Sequence, residues 1–394
     1  MKPDDRQQPA GRPLRVCYFG TYRASYGRNQ IMIAGLRAAG AEVIECHVPL
    51  WTGIEDRVQQ VSGGWRSPRF WRRVASIYRQ LIRAHRTLPE YDVMMLGYPG
   101  VFDAYLARIL TRLRRRPLVL DHYMSLNLIA LERGLFAPDS RLARLFRLIE
   151  RGGLRRPDLL IADTSQYLDY HCRTYDLEPE QFALVPAGAD DRLYSPRPAL
   201  QPPPGVFRVM YYGTFIPNHG VIDMIHAAAL LRKETHIHFD FYGNGPDEAA
   251  ARQRVEELSL NNVSFHGWVE KEELPRHIAE AHVCLGAFGE TPQSLMTVQN
   301  KIWETAAMAR PIISGDSAAV RDAFTHGENI YLVPRDDPPA LAQAIRMLSA
   351  DPALREKLAA GARARFCEGN SVAALGKQTE AILRRLLVKW ESGS

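Results

Sequence analysis

Two short apolar runs, HVCLGAF (282–288) and PIIS (311–314), flank a Gly- and Pro-containing loop and a helical stretch. A run that is apolar throughout suits a strand covered on both faces, as in a parallel sheet. The stretch between them carries Asn300, Lys301 and Glu304, and Pro311 stops it. Strand, loop, helix, strand is a βαβ unit, and it dictates where chemistry gathers. In such sheets ligands sit beyond the carboxyl ends of the strands, where helix N-termini point. Lys301 and Glu304, three residues apart, share one face near that end. A cation for phosphate beside a carboxylate for ribose hydroxyls suits a nucleoside diphosphate. A solvated surface pair is the plainer alternative.

The unit repeats. In the first half LRVCYFG (14–20), AEVIECHV (41–48), YDVMMLGYP (91–99), PLVLDHYMS (117–125) and PDLLIA (157–162) read as strands, and FALVPAGADDRLYSP (182–196) closes the first domain. The second half repeats the pattern with FRVMYYGTF (207–215), HFDFYGNGP (238–246), VSFHGWV (263–269), HVCLGAF, PIISG and NIYLVP (329–334). Between the halves lies SPRPALQPPPG (195–205), stiff and unable to join a sheet centre. Residues 55–90 read as helical, broken near Gly63-Gly64 and Pro68, and 338–391 are helical. The expected fold is α/β: two Rossmann-like, doubly wound parallel-sheet domains. Their bounds are 14–194 and 207–370, with a linker over 195–206, a disordered stretch over 1–13 and a terminal helix over 371–394. The first loop, TYRASYGRNQ, lacks G-x-G-x-x-G, which argues against a dinucleotide there.

NKIWETAAMARPII (300–313) resembles the donor-binding segment of retaining glycosyltransferases of family 4, in which a Lys and a Glu precede an A-M-A-x-x-P-I-I run. The resemblance spans about residues 14–390 and implies a GT-B fold, two domains facing across a cleft, with the 371–394 helix crossing back to the first. It implies a metal-independent transferase with no cofactor besides its substrate, a nucleotide sugar, UDP-linked rather than GDP-linked. The sugar would pass with retention to a carbohydrate or lipid-linked acceptor, in surface polysaccharide or glycolipid assembly. The Glu matching Glu304 holds the ribose, and Lys301 and Asn300 stand beside it. Gly213, Thr214 and His219 match the family's G-x-x-x-x-x-K-G, with His219 replacing the Lys; Gly243 and Gly245 match its G-x-G turn. Trp268 and Val269 fall where the base is met. Tyr22, Arg23, Tyr26 and Arg28 lie in the acceptor-side loop. The catalytic candidates are Lys301 and, after the fourth strand, Asp121 or His122, where the family carries a His. The family's first acidic residue is Met296 here; Glu290, or the backbone about Gly289 and Thr291 to Ser294, is left to hold the sugar. That departure keeps two rivals open: a non-catalytic nucleotide-sugar binder and a GT-B nucleotide-sugar epimerase.

Charge divides unevenly. Residues 1–200 hold 30 Lys plus Arg against 21 Asp plus Glu, and residues 201–394 hold 20 against 23. The excess is Arg interleaved with aromatics (Arg69, Phe70, Trp71, Arg72), which suits peripheral contact with an anionic membrane or a set of solvated helix faces. No nucleic-acid motif accompanies it. No apolar run reaches a membrane span, the polar start is no signal peptide, and five scattered cysteines suit a reducing cytoplasm.

Overall fold

Each half of the chain builds one six-stranded, all-parallel sheet. In the first, β1 (Arg15–Gly20), β2 (Glu42–His47), β3 (Val93–Leu96), β4 (Leu118–Asp121), β5 (Leu159–Ala162) and β6 (Phe182–Leu184) stand in the order β2-β1-β3-β4-β5-β6. In the second, β7 (Phe207–Tyr212), β8 (Ile237–Tyr242), β9 (Val263–Gly267), β10 (Val283–Leu285), β11 (Ile312–Gly315) and β12 (Tyr331–Val333) stand in the order β12-β11-β10-β7-β8-β9. This computed structural model describes residues 12–50, 67–197 and 205–392.

The continuous apolar runs have the physical reason expected of them. All four residues of β3 and of β4 are buried, because helices cover both faces of the sheet. Strand order reverses between β1 and β3 in one sheet and between β7 and β10 in the other. Connections leave in opposite directions at such a point, and a crevice opens beyond the strand ends. The loops after β1 and β3 therefore face the cleft from one side, and those after β7 and β10 from the other. β7 stops at Tyr212 because Gly213 turns the chain at φ +137°, a conformation glycine takes freely.

Local chemistry fixes the helix starts. Ser67, Thr164, Asp337 and Asp351 each accept a backbone N–H of the turn that follows, and Pro stands at the first helical position after Ser67, Asp337 and Asp351. The helix Val372–Ser392 packs along the helix Gly27–Ala38 of the first domain. Gly35 and Gly376 meet there so closely that a side chain on Gly376 would overlap the Gly35 backbone.

Two expectations change. Arg12 is placed, its Nη2 2.6 Å from Asp92 Oδ1, so the stretch expected to be disordered does not extend to residue 13; residues 1–11 lie outside the described part. The helix expected over 55–90 is Pro68–Arg86, and the part read as helical over 55–66 lies outside the described residues, as do 198–204 of the linker. Among the described residues no helix is long and apolar enough to cross a membrane.

Candidate active site

A cleft of about 2160 Å³ runs between the two domains. On the second domain's side the helix Asn300–Ala307 points its N-terminus into it. Gln299 precedes that helix in extended conformation, and its side chain makes no cap. Free N–H groups at a helix start carry partial positive charge.

Lys301 sits in the first turn, 6 % exposed, and its Nζ has no hydrogen-bond partner among the described residues. The ammonium lies 4.1 Å from the centre of the Tyr211 ring. A side chain on Gly213 would come within 3.0 Å of Nζ, and one on Gly243 would overlap the Gly213 carbonyl. Two glycines thus keep the floor beneath the amine bare. Burial pulls the Lys301 pKa well below the lysine range, and Glu304 opposes that shift. Glu304 itself lines the cleft, partly buried. Burial raises its carboxyl pKa, while Lys271, a hydrogen bond from Tyr212 and Lys301 lower it. Uncapped helix start, amine and carboxylate share one corner of the cleft.

The neighbours have narrower parts. His219 lines the cleft, but its Nδ1 lies 2.6 Å from the Thr214 carbonyl, which can only accept, so that nitrogen carries the proton. Burial and then Lys301 lower its pKa well below the usual histidine value, so it stays neutral and does not replace a lysine's charge. Thr214, Asn300, Trp268 and Val269 line the cleft, and Tyr123 Oη donates to Asn300 Oδ1 across it at 3.1 Å. Arg23 and Tyr26 line the opposite wall.

Several sequence candidates are placed elsewhere. Arg28 is buried, with Nε and Nη2 donating to Asp121 at 2.9 and 3.0 Å, Nη2 to Val185 O and Nη1 to Pro186 O. Four of the five guanidinium N–H groups are thus spent inside the first domain, and neither Arg28 nor Asp121 lines the cleft. Tyr22 is also buried, donating to Glu45 Oε2 at 3.0 Å and stacked on His47, behind the cleft lining rather than in it. His122 packs 4.5 Å from the His171 ring, and burial pulls its pKa down to about 3, so the ring is uncharged at neutral pH. Gly245 and Gly289 serve loop packing: side chains there would overlap the backbone of Phe215 and of Pro217. Glu290 is exposed and does not line the cleft, and the Met296 carbonyl accepts from Thr164 Oγ1 at 2.8 Å.

A carboxylate from the first domain meets the loop before the helix Asn300–Ala307. Glu132 accepts from Gln293 N at 2.7 Å and from Asn218 Nδ2 at 2.9 Å, joining the domains beside the cleft. No motif marked it. Its neighbours, LIALERG, read as an ordinary amphipathic turn.

Residues 206–351 match the family model described as glycosyl transferases group 1, and residues 7–188 match the glycosyl transferase 4-like domain. Among curated proteins the chain is 29 % identical over 177 residues to the lipopolysaccharide core biosynthesis glycosyltransferase LpsD of Rhizobium meliloti, covering 44 % of this chain and 49 % of LpsD. It is 28 % identical over 180 residues to the alpha-D-kanosaminyltransferase of Streptomyces kanamyceticus, covering 45 % of each. The chain thus spans about half the length of the curated relatives it matches. The crystal structure of Anabaena HepE in complex with UDP superposes with a TM-score of 0.67 at 16 % identity, covering 95 % of this chain and all of that one. That likeness shows the fold: GT-B, with two Rossmann-like domains across a cleft.

Proposed function

Starting from a chain that carries a glycosyl transferase 4-like domain followed by a glycosyl transferases group 1 domain, we propose that it moves a sugar from a nucleotide-sugar donor, UDP-linked, to an acceptor hydroxyl. The observation that carries this reading is Lys301: a buried amine with no hydrogen-bond partner among the described residues, at an uncapped helix start, over a floor of glycines. Such a corner is costly to keep unless a polyanion fills it. HepE, whose fold is similar, was solved with UDP and with UDP-glucose, which supports the choice of nucleotide.

In this reading the diphosphate lies against Lys301 and the N–H groups of residues 300–301, and Glu304 accepts from the ribose hydroxyls. The bond from the anomeric carbon to the phosphate oxygen breaks as the acceptor oxygen bonds to that carbon on the same face. The acceptor's proton passes to the departing phosphate oxygen, so no side chain need act as nucleophile. Lys301 and the helix start stabilise the charge that develops on the diphosphate; the chain's own cations, rather than a divalent metal, do this work. The acceptor belongs to surface polysaccharide or glycolipid assembly, as lipopolysaccharide core does for LpsD, and the Arg excess of the first half brings the protein to an anionic membrane face.

The test is donor hydrolysis without acceptor across a panel of UDP-sugars, with the first-formed anomer read by NMR. Release of UDP with the donor's configuration kept is the expected result. Binding without release would make the chain a nucleotide-sugar binder, and an inverted product would refute retention.

A further inference from the structure

The cleft does not end at the donor corner. Its arm along the first domain is walled by Trp71 and Val74 from the helix Pro68–Arg86, by Phe102, by Ile129 from the helix Leu126–Glu132, and by Leu145 and Phe146 from the helix Arg141–Leu154. Trp71 is 57 % exposed and Leu145 52 %, although the Phe102 and Phe146 rings already pack edge to face at 5.7 Å. Large apolar side chains held open along one continuous groove mark a binding surface rather than scattered exposure. A sugar's C–H face can stack on Trp71 but leaves Val74, Ile129 and Leu145 uncovered.

Charge narrows the occupant. The helix Pro68–Arg86 carries six arginines and no acidic residue. Arg141, Arg144 and Arg147 stand exposed on the helix Arg141–Leu154, whose one acid, Glu150, is buried and accepts from Leu126 N and Asn127 N. Basic and apolar side chains therefore share the same two helices, which matches an amphiphile with an anionic head. The groove is also continuous with the space containing Gly213, Lys301 and Glu304, so one molecule reaches both ends.

We infer that this arm seats the hydrocarbon chain of a membrane-borne acceptor with an anionic headgroup, an assignment that rests on the transfer reading above. The hydroxyl of its headgroup would face the donor corner and its chain the walls of Trp71, Ile129 and Leu145, while the arginines on the outer faces of the same two helices meet the anionic surface that the chain leaves.

The probe is monoacyl phosphatidylglycerol of increasing chain length, titrated below its micelle concentration and followed by calorimetry. Affinity should rise about fourfold per added methylene until the groove is full. The double variant Trp71→Asp/Leu145→Asp, at two sites more than half exposed, should lose that affinity roughly tenfold or more. UDP affinity on the same samples reports separately on the donor corner. Affinity independent of chain length, or equal in the variant, overturns the groove. So does a lipid-free dimer that Leu145→Asp dissociates, which would give the surface to a second copy of the chain. If UDP fails to bind the unaltered protein, the transfer reading falls, while the chain-length series still decides the groove.

Discussion

Two buried cations, one in each domain, are treated in opposite ways. Arg28 is 3 % exposed and Lys301 6 %, so burial does not separate them. Arg28 has a bidentate carboxylate and two carbonyls within 3.0 Å. Lys301 has a ring face and nothing to receive its protons among the described residues. Against the pull of burial, Asp121 keeps the guanidinium above its ordinary range; at Lys301 burial wins and the amine falls below its own. A charge whose partners are all supplied by the chain holds the chain together. A charge left without them is available to a ligand.

The largest effect should come from breaking the satisfied side. Arg28→Met leaves Asp121 buried without its partner and should cost roughly 3–5 kcal/mol in urea unfolding. Adding Asp121→Leu should recover most of that. A loss near zero in the single variant would remove the contrast. On the other side, Lys301→Met should weaken UDP binding by about 3 kcal/mol, with uridine nearly unaffected, because only UDP carries the diphosphate. The free variant should be no less stable than the parent, since an unpaired buried amine is gone. Equal losses for UDP and uridine would make Lys301 an ordinary packed residue.

Glu304→Gln should cost about 2 kcal/mol, in uridine and UDP alike, as a charge-assisted bond to ribose becomes a neutral one. Loss confined to UDP would move Glu304 from the ribose to the diphosphate. The smallest effect is in pH. The Lys301 pKa is depressed by burial, and a diphosphate laid against the amine raises it again. Binding should therefore take up protons, and UDP affinity should fall as pH rises above the free protein's lowered value, by at most ~1.4 kcal/mol per pH unit. In the unliganded protein the same residue makes stability rise with pH between its lowered folded value and the ordinary unfolded one. Calorimetry in buffers of different ionisation heat reads the uptake, and Lys301→Met should abolish it.

The alternation of apolar runs made both sheets legible, because parallel strands covered on both faces leave little freedom in composition. That Lys301 and Glu304 share one side of a cleft was legible too, since they stand three apart on one short helix. Arg28 was misread for a reason of distance: its partner, Asp121, lies 93 residues away, so the loop offered an exposed-looking arginine beside tyrosines. Tyr22 was misread likewise, since Glu45 and His47 reach it only once β2 lies beside β1. Glu132 escaped because it meets Gln293 and Asn218 across the domain boundary. No local pattern encodes such a meeting. The short range of sequence motifs thus finds groups that act from one helix and misses those assembled from two domains.

The contact of Gly35 with Gly376 carries a consequence for how the molecule comes to exist. Leu36 and Met32, on the first helix, share one buried cluster with Leu375, Ile382 and Leu383. During synthesis that face emerges early and stays uncovered while more than three hundred further residues are made. The second domain, whose strands span 207–333, has its sheet complete before the helix that covers the first domain leaves the ribosome. Contacts of such long sequence separation form late and slowly. Chains arrested at residue 370 should therefore show a protease-resistant second domain beside a digestible first one, and release beyond residue 386 should protect both.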